Sequence, residues 1–138
     1  VEEFDFTCRM AIHAHGARVV KSIGDAFLYI ADDLDTGARV VTNVVDELRK
    51  VPGMLPVRAS IVWGGVVSRF GDIFGPKVNL ASRLVDVAES GTILTDSETA
   101  ETLRSLVPGR YTLVPAGSPN LQGFGKIEAV EVRRMPSS

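Results

Sequence analysis

A lysine and an aspartate stand four residues apart in the segment Lys21-Ser22-Ile23-Gly24-Asp25. Apolar runs on both sides of Gly24-Asp25 predict two strands joined by a two-residue turn, which would put Asp25 at the tip of a β-hairpin. Carboxylate oxygens suit Mg²⁺, which takes few protein ligands when phosphate oxygens supply the others. The same spacing also fits an exposed charge pair worth only a few tenths of a kcal/mol. This segment alone leaves both interpretations open.

A second group of polar residues surrounds a predicted helix start at Gly75-Pro76. Asn79 and Arg83 are four residues apart, so both would project from one face of that helix. Asp72 lies shortly before the helix start. A guanidinium suits negative charge that develops on a phosphoryl group, and an amide can orient a ribose or ring oxygen. Each of these residues taken singly is most often an ordinary exposed or capping side chain, whereas their combination indicates phosphate chemistry.

The two segments together carry a family resemblance. Lys-x-x-Gly-Asp followed by Asp-x-Phe-Gly-x-x-Val-Asn-x-Ala-x-Arg-Leu resembles the catalytic core of class III nucleotidyl cyclases, and the resemblance runs in order along almost the whole chain. The phosphate-loop motif Gly-x-x-x-x-Gly-Lys-Ser/Thr is absent. The Gly-Gly-Asp/Glu-Glu-Phe signature of diguanylate cyclases is absent too, because Gly64-Gly65 is followed by two valines.

The resemblance implies a role for each matched residue. Asp25 matches the second of the two metal-binding aspartates, which together hold two Mg²⁺ or Mn²⁺ ions. Lys21 and Asp72 match the pair that selects adenine, where guanylate cyclases tend to carry glutamate and cysteine. Asn79 matches the residue that orients the ribose, and Arg83 the one that stabilises the transition state. The implied activity is adenylate cyclase (EC 4.6.1.1 type), which converts ATP to 3′,5′-cyclic AMP and pyrophosphate.

The resemblance also implies a head-to-tail homodimer with active sites shared between the two chains. In this arrangement the metal-binding aspartates come from one chain, and the adenine-selecting pair, Asn79 and Arg83 come from the other. Lys21 and Asp25 would then serve different sites although they are near neighbours in sequence.

Two departures from the family pattern bear on activity. We expect the chain to lack the family's first strand and the first metal-binding aspartate on it, since Asp5 is interpreted as an ordinary helix carboxylate. Gln122 stands where the family has a lysine that contacts the triphosphate. Either Lys126 takes over this contact, or the triphosphate is bound more weakly than is usual in the family. These 138 residues alone are therefore expected to have little or no activity. The alternatives are a guanylate cyclase or a non-catalytic cyclase-homology module for regulation or dimerisation.

The amino-acid composition excludes several classes of partner and location. The 138 residues carry 15 Lys and Arg against 17 Asp and Glu, so no basic field favours binding to nucleic acid. No run approaches the ~18 apolar residues of a membrane helix, so no membrane insertion is expected. Cys8 is the single cysteine, which favours a reducing, cytoplasmic location. We expect one domain over residues 1–135 and a tail over 136–138, with a regulatory domain elsewhere in the full-length protein left open.

The elements that position these residues alternate between helices and pairs of strands. This order predicts an α+β, ferredoxin-like nucleotidyl-cyclase sandwich with helices on a mainly antiparallel sheet. Trp63 is expected beneath the sheet and Cys8 in the core. The predicted helices are Glu2–His15, Leu34–Val51, one from Gly75-Pro76, and Ser97–Leu106; the predicted strands are Ala17–Ile23, Ala26–Ala31, Val57–Trp63, a partner from Val66, Thr92–Leu94, Tyr111–Val114 and Ala129–Val132.

Overall fold

The structure is a computed structural model. It describes residues 8–10, 12–14, 16–23, 26–53, 56–64, 67–69 and 72–135, with the backbone alone at 18, 21–23, 26–27, 67–69 and 72–73. The predictions for Asp5, for both ends of the helix Glu2–His15, for the turn at Gly24-Asp25 and for the tail lie outside the described residues.

The helices and the longer strands follow the predicted alternation, whereas the short strands at Asp72–Phe74, Asn120–Leu121 and Gly125–Lys126 were not predicted. Residues 8–10 and 12–14 are helical. The further helices are α1 (Leu34–Arg49), α2 (Pro76–Val87) and α3 (Ser97–Leu106). The strands are β1 (Arg18–Ile23), β2 (Ala26–Ile30), β3 (Ala59–Ser60), β4 (Val67–Arg69), β5 (Asp72–Phe74), β6 (Ile93–Asp96), β7 (Tyr111–Pro115), β8 (Asn120–Leu121), β9 (Gly125–Lys126) and β10 (Ala129–Arg134).

The largest sheet in the described part of the chain has the strand order β3-β6-β10-β7. Strands β3 and β6 are parallel, whereas β10 runs antiparallel to both β6 and β7. The other strands form three antiparallel hairpins, β1-β2, β4-β5 and β8-β9. The predicted hairpin after the first helix is confirmed, with Ile23 opposite Ala26.

The helices cover both faces of this sheet. Ile93 and Leu94 are consecutive on β6, so their side chains point to opposite faces. Ile93 packs with apolar residues of α1 and α3, and Leu94 packs with apolar residues of α2. Helices α1 and α3 therefore lie on one face and α2 on the other. A third cluster joins Cys8 and Ile12 to α1, which confirms the prediction of a core position for Cys8.

Local sequence accounts for where the helices begin. Asp33 and Asp96 accept hydrogen bonds from Thr36 N and Thr99 N, which caps the first turns of α1 and α3. Pro76 occupies the first position of α2, where its missing N–H has no intrahelical partner to lose.

The prediction for residues 57–63 is wrong in its extent and in its partner. Strand β3 covers only Ala59–Ser60 and pairs with β6, while β4 pairs with β5. The ladder stops because β6 turns into α3, and threonine hydroxyls continue the hydrogen bonding. Thr95 Oγ1 donates to Ile61 O at 2.6 Å, and Trp63 N donates to Thr99 Oγ1 at 3.1 Å. This path leaves Trp63 40% exposed, so its predicted position beneath the sheet is also wrong.

Candidate active site

Helix α2 presents the predicted amide and guanidinium to solvent. Asn79 and Arg83 are both exposed and lie about one turn apart on the same face. The residues that follow them, Leu80 and Leu84, are 5% and 0% exposed and pack against the sheet. The alternation of polar and buried positions thus fixes the orientation of the Asn79–Arg83 face.

The hairpin β8-β9 lies beside α2. Leu121 is buried in the same cluster as Leu80 and Leu84, and Phe124 packs against that cluster. The neighbouring Gln122 and Lys126 are both exposed. The structure therefore brings the hairpin with the two predicted triphosphate contacts to the helix with Asn79 and Arg83. From the sequence alone Leu121 has no predicted positioning role, and its adjacency to Gln122 is the only signal that points to it.

Two further contacts hold α2 against the end of β3. Ser60 Oγ donates a hydrogen bond to Ala81 O at 2.6 Å. The aliphatic stem of Lys77 covers Gly64, where a Cβ would stand only 2.5 Å from Lys77 Cγ. The absence of a side chain at Gly64 thus lets the first turn of α2 approach the chain that leaves β3.

The backbone also brings together the strands of the predicted adenine-selecting pair. Lys21 lies on β1 opposite Leu28, and Asp72 lies on β5 opposite Arg69. Strand β1 lies against β5, and Gly75 separates β5 from α2. Asp72 begins a short strand that was not predicted from the sequence. The side chains of Lys21 and Asp72, and Asp25 altogether, lie outside what the structure describes.

A tyrosine tethers the β1-β2 hairpin to α1. Tyr29 Oη donates a hydrogen bond to Gly37 O at 2.8 Å. Loss of solvent around the phenol, with a smaller contribution from Tyr111, raises the pKa of Tyr29 far above its ordinary value. The neutral, hydrogen-bonding form is therefore the one that the fold holds.

The described residues do not test a metal site. Among them, no group of three or more His, Cys, Asp or Glu side chains is placed to hold a metal ion. The aspartate predicted to bind metal, Asp25, lies outside them, so that assignment stays a prediction from sequence. Within the same part of the chain, no helix has the length and apolar character needed to cross a membrane.

The architecture defines the class of domain. The catalytic core of a rhodopsin-guanylyl cyclase with converted specificity, in complex with ATPαS, superposes with a TM-score of 0.81 at 20% identity, over 96% of this chain and 79% of that one. The adenylyl cyclase CyaB of P. aeruginosa superposes with a TM-score of 0.77 at 20% identity, over 99% of this chain and 81% of that one. The fold is that of nucleotidyl cyclase catalytic domains.

Sequence similarity makes the assignment specific. Residues 2–133 match the family profile of the adenylate and guanylate cyclase catalytic domain. An adenylate cyclase of Glutamicibacter nicotianae is 41% identical over 96% of this chain and 32% of its own length. A pH-sensitive adenylate cyclase of Mycobacterium tuberculosis is 40% identical over 83% of this chain and 30% of its own length. The chain belongs to the adenylate and guanylate cyclase catalytic domain family, and it spans about a third of the length of these relatives.

Proposed function

We propose that this chain is the catalytic domain of an adenylate cyclase, one domain over residues 1–135 that acts on ATP in the cytoplasm. The observation that carries the proposal is the exposed Asn79–Arg83 face of α2. The buried side of this helix, Leu80 and Leu84, packs with Leu121 of the hairpin that carries Gln122. Relatives at 40% and 41% identity that carry the name adenylate cyclase support ATP as the substrate.

The reaction is the attack of the ribose 3′-hydroxyl on the α-phosphorus of the same ATP, with pyrophosphate as the leaving group. Asn79 orients the ribose, and the Arg83 guanidinium neutralises charge that develops at the α-phosphoryl group. Lys21 donates to a ring nitrogen of adenine, and Asp72 accepts from its exocyclic amine. The close approach of the β1 and β5 backbones supports this pairing.

Two divalent cations, Mg²⁺ or Mn²⁺, complete the proposed site, with Asp25 as one ligand. When bound, such ions lower the pKa of the attacking hydroxyl and neutralise the phosphates. The site forms between two chains in a head-to-tail homodimer, with Asp25 from one chain and Asn79 and Arg83 from the other. Since Asp25 is the one residue here matched to the two metal aspartates, the 138 residues by themselves are expected to have little or no activity.

The proposal is tested by cyclic AMP production from ATP with Mn²⁺, using the protein as its gene encodes it. Loss of a preorganised charge-stabilising donor costs about 10²–10³ in kcat, which is the expected effect of Arg83→Ala. Arg104→Ala is the matched control, because Arg104 is also an exposed helical arginine but lies on α3 and pairs with Glu101. Equal activity of the two variants would contradict the assignment of Arg83, and preference for GTP would contradict adenine selection by Lys21 and Asp72.

A second candidate function is a non-catalytic cyclase-homology module for regulation or dimerisation. Gln122 favours it, because an amide carries no charge for the triphosphate where the family has a lysine. Absence of cyclic nucleotide production by the full gene product with either ATP or GTP, in the presence of Mn²⁺, would favour this alternative.

A further inference from the structure

A groove lined by arginines lies on the face of the sheet opposite α2. It has a volume of about 380 Å³ and lies between α1 and the edge of the sheet where β7 begins and β10 ends. We call it the arginine groove and define it by Arg39, Asn43, Arg110, Tyr111 and Arg134. The Asn79–Arg83 face belongs to α2, so the sheet separates the arginine groove from the candidate active site.

Two of these guanidiniums are held together by one carboxylate oxygen. Arg39 Nε donates to Asp35 Oδ1 at 3.2 Å, and Arg110 Nη1 donates to the same oxygen at 2.7 Å. A guanidinium has five N–H donors, and each of these arginines uses one nitrogen in this contact. Arg39 and Arg110 therefore line the groove side by side with further donors, although they come from different parts of the chain.

The third arginine is fixed in place by α1. Arg134 Nη1 donates to Asp46 Oδ2 at 2.7 Å, and Nη2 donates to Thr42 Oγ1 at 2.9 Å and to Asn43 Oδ1 at 3.1 Å. Asn43 itself is held by a 2.8 Å hydrogen bond from Nδ2 to Arg39 O. These hydrogen bonds hold Arg134 and Asn43 in place before a ligand binds, which lowers the conformational entropy lost on binding.

The charges of these contacts do not balance within the described part of the chain. Asp35 pairs with Arg39 and Arg110, and Asp46 pairs with Arg134 and, at 3.7 Å, with Arg49. Arg49 does not line the groove, so two carboxylates pair with the three arginines that do, which leaves an excess of one positive charge. The groove-lining residues themselves include three arginines and no carboxylate.

We propose that the arginine groove binds the phosphoryl group of a small phosphorylated molecule. A phosphate monoester carries a charge of about −1.5 to −2 at neutral pH, which the excess positive charge of the groove attracts. Its oxygens accept paired N–H bonds from guanidiniums in a geometry that lysine cannot provide. Tyr111, which is half-buried, and Met135 supply an apolar wall for the remainder of the ligand.

The test is a titration of the ¹⁵N-labelled protein with inorganic phosphate at a constant ionic strength of about 0.15 M, where unspecific attraction between exposed charges is screened. Amide chemical shifts report the binding site and the dissociation constant. We expect saturable shifts in α1 and at the start of β7. A parallel titration with ribose 5-phosphate shows how much of the ligand is recognised. An affinity equal to that for inorganic phosphate indicates recognition of the phosphoryl group alone, and a higher affinity indicates that the rest of the molecule is also bound.

Variants decide whether the groove is responsible. Arg39→Gln and Arg110→Gln are each expected to weaken phosphate binding about tenfold, as for loss of one charge-assisted contact. Arg104→Gln on α3 removes the same charge elsewhere, and Arg83→Gln removes it at the candidate active site. Neither control is expected to change the shifts at the groove. The amide spectrum of Arg110→Gln shows whether this variant folds. If it does not, Arg39→Gln and Arg39→Lys test the groove, and both are expected to bind phosphate more weakly than the unmodified protein.

Shifts that do not saturate, or that persist unchanged in Arg39→Gln, would overturn the proposal. So would saturable shifts confined to α2 and β8-β9, because phosphate would then occupy only the candidate active site.

Discussion

Substitution of Leu84 by alanine tests whether the buried side of α2 positions the candidate active site. Leu84 is 0% exposed and lies in the cluster that joins α2 to the sheet and to the β8-β9 hairpin. Truncation of a fully buried leucine costs about 2.7–5 kcal/mol, as the lost transfer free energy and the residual cavity add. The free energy of unfolding of a native domain is about 5–15 kcal/mol, so the variant is expected to fold with much less stability.

The unfolding entropy of a domain of this length converts a loss of ~3 kcal/mol into a fall in Tm of roughly 10 °C. Thermal unfolding followed by circular dichroism measures it. Val87→Ala is the matched control, because Val87 is on the same helix but 43% exposed, and its Tm is expected to change by no more than about 2 °C. Well below its Tm, Leu84→Ala is also expected to bind an ATP analogue more weakly, since Arg83 and Gln122 lose their shared support. A Tm for Leu84→Ala as high as that of Val87→Ala would refute this account of the cluster.

Three further predictions concern the hairpin tether, a helix cap and the shared site. Because the fold holds Tyr29 neutral and raises its pKa, its contribution to stability is complete below about pH 10 and is lost as the pH rises above the pKa of the unfolded tyrosine. Tyr29→Phe is expected to lower the free energy of unfolding by about 1 kcal/mol at pH 7 and to reduce the further loss of stability at alkaline pH. Urea unfolding at pH 7 and pH 10.5 measures both effects. The same alkaline loss in Tyr29→Phe as in the unmodified protein would contradict this prediction. Asp96→Ala removes the cap on Thr99 N and is expected to lower the free energy of unfolding by about 1 kcal/mol, whereas Asp96→Asn is expected to keep most of this stability. Chemical denaturation compares the two variants. Equal losses of stability would exclude capping as the cause. An equimolar mixture of full-length Asp25→Ala and Arg83→Ala chains is expected to recover about a quarter of the unmodified activity, because half of the dimers are mixed and each has one intact site. Cyclic AMP formation no higher than that of either parent variant would rule out the shared-site arrangement.

Local sequence signals predicted the elements that carry the site. Helix α3 has the predicted bounds, with Asp96 as its cap, and α2 begins at the predicted Pro76. These features depend on hydrogen bonds and backbone angles within a few residues, so the sequence contains the whole physical reason for them. The spacing of Asn79 and Arg83 likewise required only the helical period to place both residues on one face.

The pairing of strands that are distant in the sequence was harder to predict. The apolar run from Val57 to Trp63 is typical of a strand, but its length in the structure depends on β6, which ends where Asp96 caps α3. The exposure of Trp63 follows from that geometry and not from its own hydrophobicity. The short strand at Asp72 forms because β4 lies beside it, and a three-residue run carries little signal of its own.

Residue types and short spacings were sufficient to predict the family, the helix starts and the residues that can do phosphate chemistry. The tertiary structure alone decided that Leu121 brings Gln122 to the helix with Asn79 and Arg83. It also decided that Arg39 and Arg110, 71 positions apart in the sequence, meet on one oxygen of Asp35. Contacts of this kind form only when distant elements pack on a common sheet, since no local preference of the chain specifies which residues will then face each other.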